Sequence, residues 1–141
     1  MGDYAIILET VDRGGHEMSL PYVMRIDHHI AGPVELHLDA LRGGHALHAA
    51  VAVCVFNNVT RLALERGVAL QHASVRVRGG FTDDGRSTGI TFDIDVQGNG
   101  SEASLRKIGI DAAADSTIVE ALRHPTEVML GETRATSTAT R

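Results

Sequence analysis

The chain has 141 residues, 43% hydrophobic and 22% charged, a size and mix that fit one globular domain and exclude a disordered or fibrous chain. Thirteen Lys plus Arg against eighteen Asp plus Glu leave a formal charge of -5, so no basic field exists to hold a polyanion and nucleic-acid binding is not expected. With no Trp and 4% aromatic residues, a base-stacking platform is excluded and the core falls to Ala, Val, Ile and Leu.

A chain of this length buries roughly two-thirds of its unfolded surface and needs no metal or disulfide staple. Cys54 is the only cysteine, which excludes an intrachain disulfide and a thiolate cluster for zinc. The longest apolar run, 46–56, is interrupted by His48 and is too short to span a bilayer. The first residues have neither the basic nor the apolar region of a signal peptide. The expectation is a cytoplasmic protein without membrane attachment.

Residues 4–11 (YAIILETV) are apolar and β-branched and run into Asp12-Arg13-Gly14-Gly15, a strand followed by a turn. A second strand is predicted around 22–26, after Pro21. Residues 34–39 alternate, with Leu36 and Leu38 opposite Glu35, His37 and Asp39, as a half-buried strand does. Gly43-Gly44 opens a helix predicted over 45–66 and stopped by Gly67; its 22 residues span ~33 Å. The first half of that helix is apolar nearly all round and the second half is amphipathic, so its front must be covered by more than one layer. In so small a chain that extra cover points to a second copy, a homodimer.

Residues 68–81 and 87–96 alternate about the turn Thr82-Asp83-Asp84-Gly85-Arg86, which predicts an antiparallel hairpin with one wet face. Asn99-Gly100-Ser101 caps a helix over 102–114, and Asp115 or Ser116 caps a shorter one through Leu122. Pro125 ends it, residues 127–130 read as a last strand, and the tail from Gly131 lacks apolar anchors and is expected to fray. The order gives an α+β class, an antiparallel sheet wrapped on one long central helix.

Cys54 lies in mid-helix, with Ala50, Val51, Asn57, Asn58 and Arg61 near it by helical spacing. Two readings fit: a packed core cysteine, or a nucleophile whose thiolate is favoured by a cation such as Arg61. Of the eight histidines, His45 and His48 are three apart on the helix, and Glu35, His37 and Asp39 share a strand face, but no metal-ligand motif is present and no metal or cofactor is assigned. The paired glycines at 14–15, 43–44 and 79–80 lack phosphate-loop spacing and read as turns or bulges, and no serine sits in a nucleophile elbow. Arg76 and Arg78 read as a solvated strand face.

The stretch GGHALHAAVAVCVFNNVTRLALERGVALQHASVRVRGGF resembles the core of the OsmC/Ohr family, the osmotically inducible and organic hydroperoxide resistance proteins. In that family an Ala-rich helix leads into one Cys, continues to a Gly stop and is followed by a V-x-V strand. The run LRKIGIDAAADSTIVEALRHPTEVML resembles the family's second half, so the likeness covers residues 43–130. It implies one OsmC-like domain over 1–130 with 131–141 as a frayed tail, and an intertwined homodimer with sites at the subunit interface.

The resemblance also implies a chemistry. In the peroxidase members the helical Cys attacks a hydroperoxide and becomes a sulfenic acid, and a second Cys at the later short helix closes a disulfide that an external dithiol reduces. An N-terminal Arg and a carboxylate support the thiolate. Cys54 matches the attacking cysteine; Arg13 matches the arginine, with Arg25 as a rival; the carboxylate position falls near Gly44 or His45; and the resolving cysteine falls at Ser116. The chain thus departs from the pattern at two positions, with His48 or His45 as a substitute base or cation.

Two functions follow as expectations. One is a one-cysteine thiol peroxidase for organic hydroperoxides in oxidative-stress defence, using Cys54, Arg13 and His48 and an external thiol reductant. The other is a non-catalytic dimer that binds a small apolar ligand or acts as a scaffold, with Cys54 only structural.

Overall fold

The computed structural model describes residues 4–10, 22–28, 32–38 and 41–139. In chain order the elements are β1 (Ile6–Thr10), β2 (Tyr22–His28), β3 (Gly32–Leu38), α1 (Gly43–Glu65), β4 (Leu70–Phe81), β5 (Ser87–Gly98), α2 (Glu102–Ala114) and α3 (Thr117–Leu122). The expected mixture of helix and antiparallel strand is present. The strands form two sheets, β1-β2-β3 and β4-β5, where one had been expected. The chain divides into two compact units, Met1–Ala46 and Leu47–Arg141.

In the first unit β1 and β3 flank β2, with Ile6 opposite Ile26 and Arg25 opposite Glu35. β3 starts earlier than the alternation suggested, because Pro33 is tolerated on an edge strand, where it stands opposite Asp27. The predicted turn 12–15 lies outside the described residues.

The second unit is built around α1. Its last turn closes as a Schellman motif: Gly67 takes φ +67°, the Val68 N–H donates to the Ala63 carbonyl at 2.9 Å, and the Gly67 N–H donates to that of Leu64 at 3.2 Å. By length and apolar content alone α1 satisfies the requirement for a bilayer span. However, Val51, Val55, Val59, Leu62 and Ala63 are buried in one cluster with Ile108 and Ala112 of α2 and Val119 of α3, which makes it a core helix.

β4 and β5 pair in register from Ala73 opposite Val96 to Gly79 opposite Ile90, so Val75, Val77, Phe92 and Ile94 face the core cluster. The opposite face is wet, as expected, and carries the ion pair between Arg78 and Asp93. The glycines at 79 and 80 form a bulge, the reading expected for them. Gly79 is also required for close approach: a Cβ there would lie 2.5 Å from Nε2 of His48 and 2.6 Å from the Gly89 carbonyl oxygen.

Ser101 caps α2 by accepting from the Ser104 N–H, and Ser116 caps α3 by accepting from that of Val119. Asp115, the other expected cap, ends α2. The strand predicted over 127–130 is not formed; residues 125–139 have no regular structure, and Val128, Met129 and Leu130 are exposed. A short apolar run is not enough for a strand, which also needs a neighbouring ladder.

Asp111 joins α2 to the end of α1, accepting from Lys107 at 2.6 Å and from Arg66 at 2.6 Å. The hydrogen bond from Lys107, then that from Arg66, holds its carboxyl below the ordinary carboxylate range. A depressed folded value contributes stability above the unfolded value of about 3.9, and that contribution is lost as pH falls through the folded value. Asp111→Asn is therefore expected to lower stability at pH 7 and to flatten its decline between pH 5 and pH 2.5. Urea unfolding at both ends of that range checks the sign.

Candidate functional site

Cys54 sits on the face of α1 that meets the junction between α2 and α3. Helical spacing places Asn58 and Arg61 along the same face, one and two turns further on. Each makes a polar contact to the junction. The Ser116 hydroxyl donates to Cys54 Sγ at 3.2 Å, Asn58 Nδ2 donates to the Ala112 carbonyl at 3.1 Å, and Arg61 reaches Asp115 at 3.7 Å. Residues 62 apart in sequence are thereby held in register.

Ser116 is 2% exposed, which is unusual for a serine at a helix start. Its hydroxyl has two partners: the oxygen accepts from the Val119 N–H at 3.2 Å and the proton goes to the sulfur. The two positions that the family resemblance paired, attacking thiol and resolving group, are thus in contact, with an oxygen in place of the second sulfur.

The helices that carry this pair also border an apolar hollow of about 250 Å³, which neither Cys54 nor Ser116 lines. Leu47, Val51, Ile90, Phe92, Val119 and Leu122 line it, with Ser87 and Arg123 among its polar members. Two of its lining residues neighbour the pair along the helices: Val51 precedes Cys54 by one helical turn and Val119 follows Ser116 by three residues.

The other expected site residues are placed as follows. Arg13 lies outside the described residues. Arg25 is paired with Glu9 and, at 3.5 Å, with Glu35 across the three-stranded sheet. Arg61, the helical cation considered from spacing, has its guanidinium directed at Glu65 and Asp115. His48 packs its ring edge-on to Phe81, with centroids 5.9 Å apart. Six residues from Cys54, it projects about 120° away around the helix. Among the described residues no group of three His, Cys, Asp or Glu side chains could hold a metal ion.

Spacing along α1 marked Asn58 and Arg61 as neighbours of Cys54 but gave no sign of their partners on the α2–α3 junction. Those partners are a backbone carbonyl and a helix-ending aspartate, which carry no motif of their own.

A family model described as OsmC-like protein matches residues 36–131. No curated protein matches the chain. Among solved structures, an OsmC-like protein from Mycoplasma pneumoniae superposes with a TM-score of 0.62 at 13% identity, over 86% of this chain and 88% of its own. An OsmC-like protein of unknown function from Vibrio cholerae gives 0.59 at 14% identity, over 86% and 94%. An OsmC-like hydroperoxide resistance protein from Jannaschia gives 0.51 at 12% identity, over 80% and 85%. These likenesses are of fold, while the family match takes in well over half of the sequence, including the Cys54 helix and Ser116: the chain belongs to the OsmC-like family.

Proposed function

We propose that this chain is a one-cysteine thiol peroxidase that reduces organic hydroperoxides through Cys54. The observation that carries the reading is the contact between Cys54 Sγ and the buried Ser116 hydroxyl, with an apolar hollow bordered by the same two helices. An apolar wall suits a hydroperoxide with a hydrocarbon group better than hydrogen peroxide.

In the proposed cycle the Cys54 thiolate attacks the outer oxygen of the hydroperoxide. The O–O bond breaks, the inner oxygen leaves and takes up a proton as an alcohol, and sulfur is oxidised to sulfenic acid. Serine cannot reduce it. An external small thiol then displaces water from the sulfenic acid to give a mixed disulfide, and a second releases the Cys54 thiol with formation of the small-molecule disulfide. Arg13 is the proposed charge partner of the thiolate. His48, the expected auxiliary, packs edge-on to Phe81 and is given no part in the step.

The active form in this reading is a cytoplasmic homodimer. Val53, Phe56 and Leu64 lie along one face of α1 with 56%, 40% and 83% of their surface exposed, more apolar area than a lone core helix leaves open. A second copy laid along that stripe would cover it.

The test is consumption of cumene hydroperoxide in the presence of excess glutathione. Wild-type protein is expected to turn over many equivalents and Cys54→Ser none. Serine at position 116 also favours a second reading, a dimer that keeps the hollow to bind a small apolar ligand. Equal consumption by the two proteins would select that reading.

A further inference from the structure

We propose that Ser116 is a positioning residue for Cys54, its hydroxyl holding the sulfur as a thiolate. The inference rests on the reading of Cys54 as the reactive thiol. An N-cap needs only an oxygen lone pair, which Ser116 offers to the Val119 N–H. The cap therefore leaves the hydroxyl proton unassigned, and the structure directs it at Cys54 Sγ, 3.2 Å away. With Ser116 2% exposed, water does not compete for that proton. A hydrogen bond donated to the charged form favours it, and the hydrogen bond that the Val119 N–H donates to the same oxygen constrains where the hydroxyl points.

The neighbouring frame keeps the donor in place. Asn58 to Ala112 and Arg61 to Asp115 clamp α1 to the residues just before Ser116. The charged groups on the surrounding elements are already in ion pairs: Arg61 with Glu65 and Asp115, Asp111 with Lys107 and Arg66, and Glu120 with Arg123 and His124. On β5, Asp93 and Asp95 lie on the wet face with Arg78 and His72. Carboxylates and guanidinium groups keep their charge between pH 7 and pH 9.5, and His72, His124 and Lys107 are common to all the variants compared, so the difference between variants across that range reads the thiol.

The experiment measures the rate of Cys54 alkylation by iodoacetamide in wild type, Ser116→Ala, Ser116→Gly and Ser116→Thr. Glycine is nearly as good a cap as serine and lacks the hydroxyl; threonine keeps both functions. At pH 7 the alanine and glycine variants are expected to react about tenfold more slowly, the effect of one hydrogen bond to a charged group. Threonine is expected to stay within about twofold of wild type, and all four to converge at pH 9.5, where an ordinary thiol is ionised whatever its partner. A glycine variant with the wild-type profile, or a deficit of the same size at both pH values, would overturn the proposal. Iodoacetamide reads the thiolate without peroxide. If the expected profile appears while the protein stays inert toward cumene hydroperoxide, Ser116 keeps its role and the peroxidase reading falls.

Discussion

Ser116→Cys is expected to convert the one-thiol site into a disulfide-forming pair. The serine oxygen already lies 3.2 Å from Cys54 Sγ and is held by the start of α3, so the introduced sulfur would need to move by only about 1 Å to reach bonding distance. One equivalent of hydroperoxide should then give a protein two hydrogens lighter, with no sulfenic acid left to trap. Cross-linking positions 62 residues apart should raise the stability of the oxidised form over the reduced form by about 4 kcal/mol on the chain-entropy estimate. Intact mass and urea unfolding with and without reductant check both effects. A variant that keeps a trappable sulfenic acid beside a free second thiol would show that the two side chains do not approach as described.

The second large effect concerns the core that sets this geometry. Ile108 is fully buried on α2 against Val51, Val55 and Val59 of the central helix, and Ala112 is buried one turn further on. Ile108→Ala removes three carbons from a packed site that has little freedom to collapse, a loss of about 3 to 4 kcal/mol. Whole domains are stable by roughly 5 to 15 kcal/mol, so the expected fall in Tm is on the order of 10 °C. The same helix carries the Ala112 carbonyl that Asn58 binds, so alkylation of Cys54 in this variant should lose part of its dependence on Ser116. A change in Tm of only 1–2 °C would mean that α2 does not pack on α1 through this residue.

How much of this was legible in the sequence depends on whether the deciding interaction is local. Gly67 and Ser101 name the ends of their helices because the bonds they make or permit lie within five residues. Alternation named the β4–β5 hairpin because its turn fixes the partner. The short apolar run over 127–130 was misleading, since a strand needs a ladder and no local pattern reports whether one exists. β3 began before the predicted start because a proline that stops a central strand is tolerated at an edge, and edge position is a property of the sheet.

At the site, spacing placed Asn58 and Arg61 beside Cys54 but could not find what they bind. Arg61 is engaged by Glu65, four residues on in its own helix and visible in the sequence, and by Asp115, which a different helix brings to it and no spacing reports. The contact of Cys54 with Ser116 was reachable only through the family resemblance, which supplied the pairing of the two positions. Burial of the serine and the direction of its proton are what the structure adds.

The most direct test of the central claim is intact-protein mass spectrometry of the reduced protein mixed with a slight excess of cumene hydroperoxide, with dimedone as the sulfenic-acid trap and Cys54→Ser as control. Rapid formation of a single dimedone adduct, mapped to Cys54 and absent from the control, is expected. An unmodified thiol after prolonged exposure would contradict that claim, leaving Cys54 as a packed core cysteine and the apolar hollow as a site for binding alone.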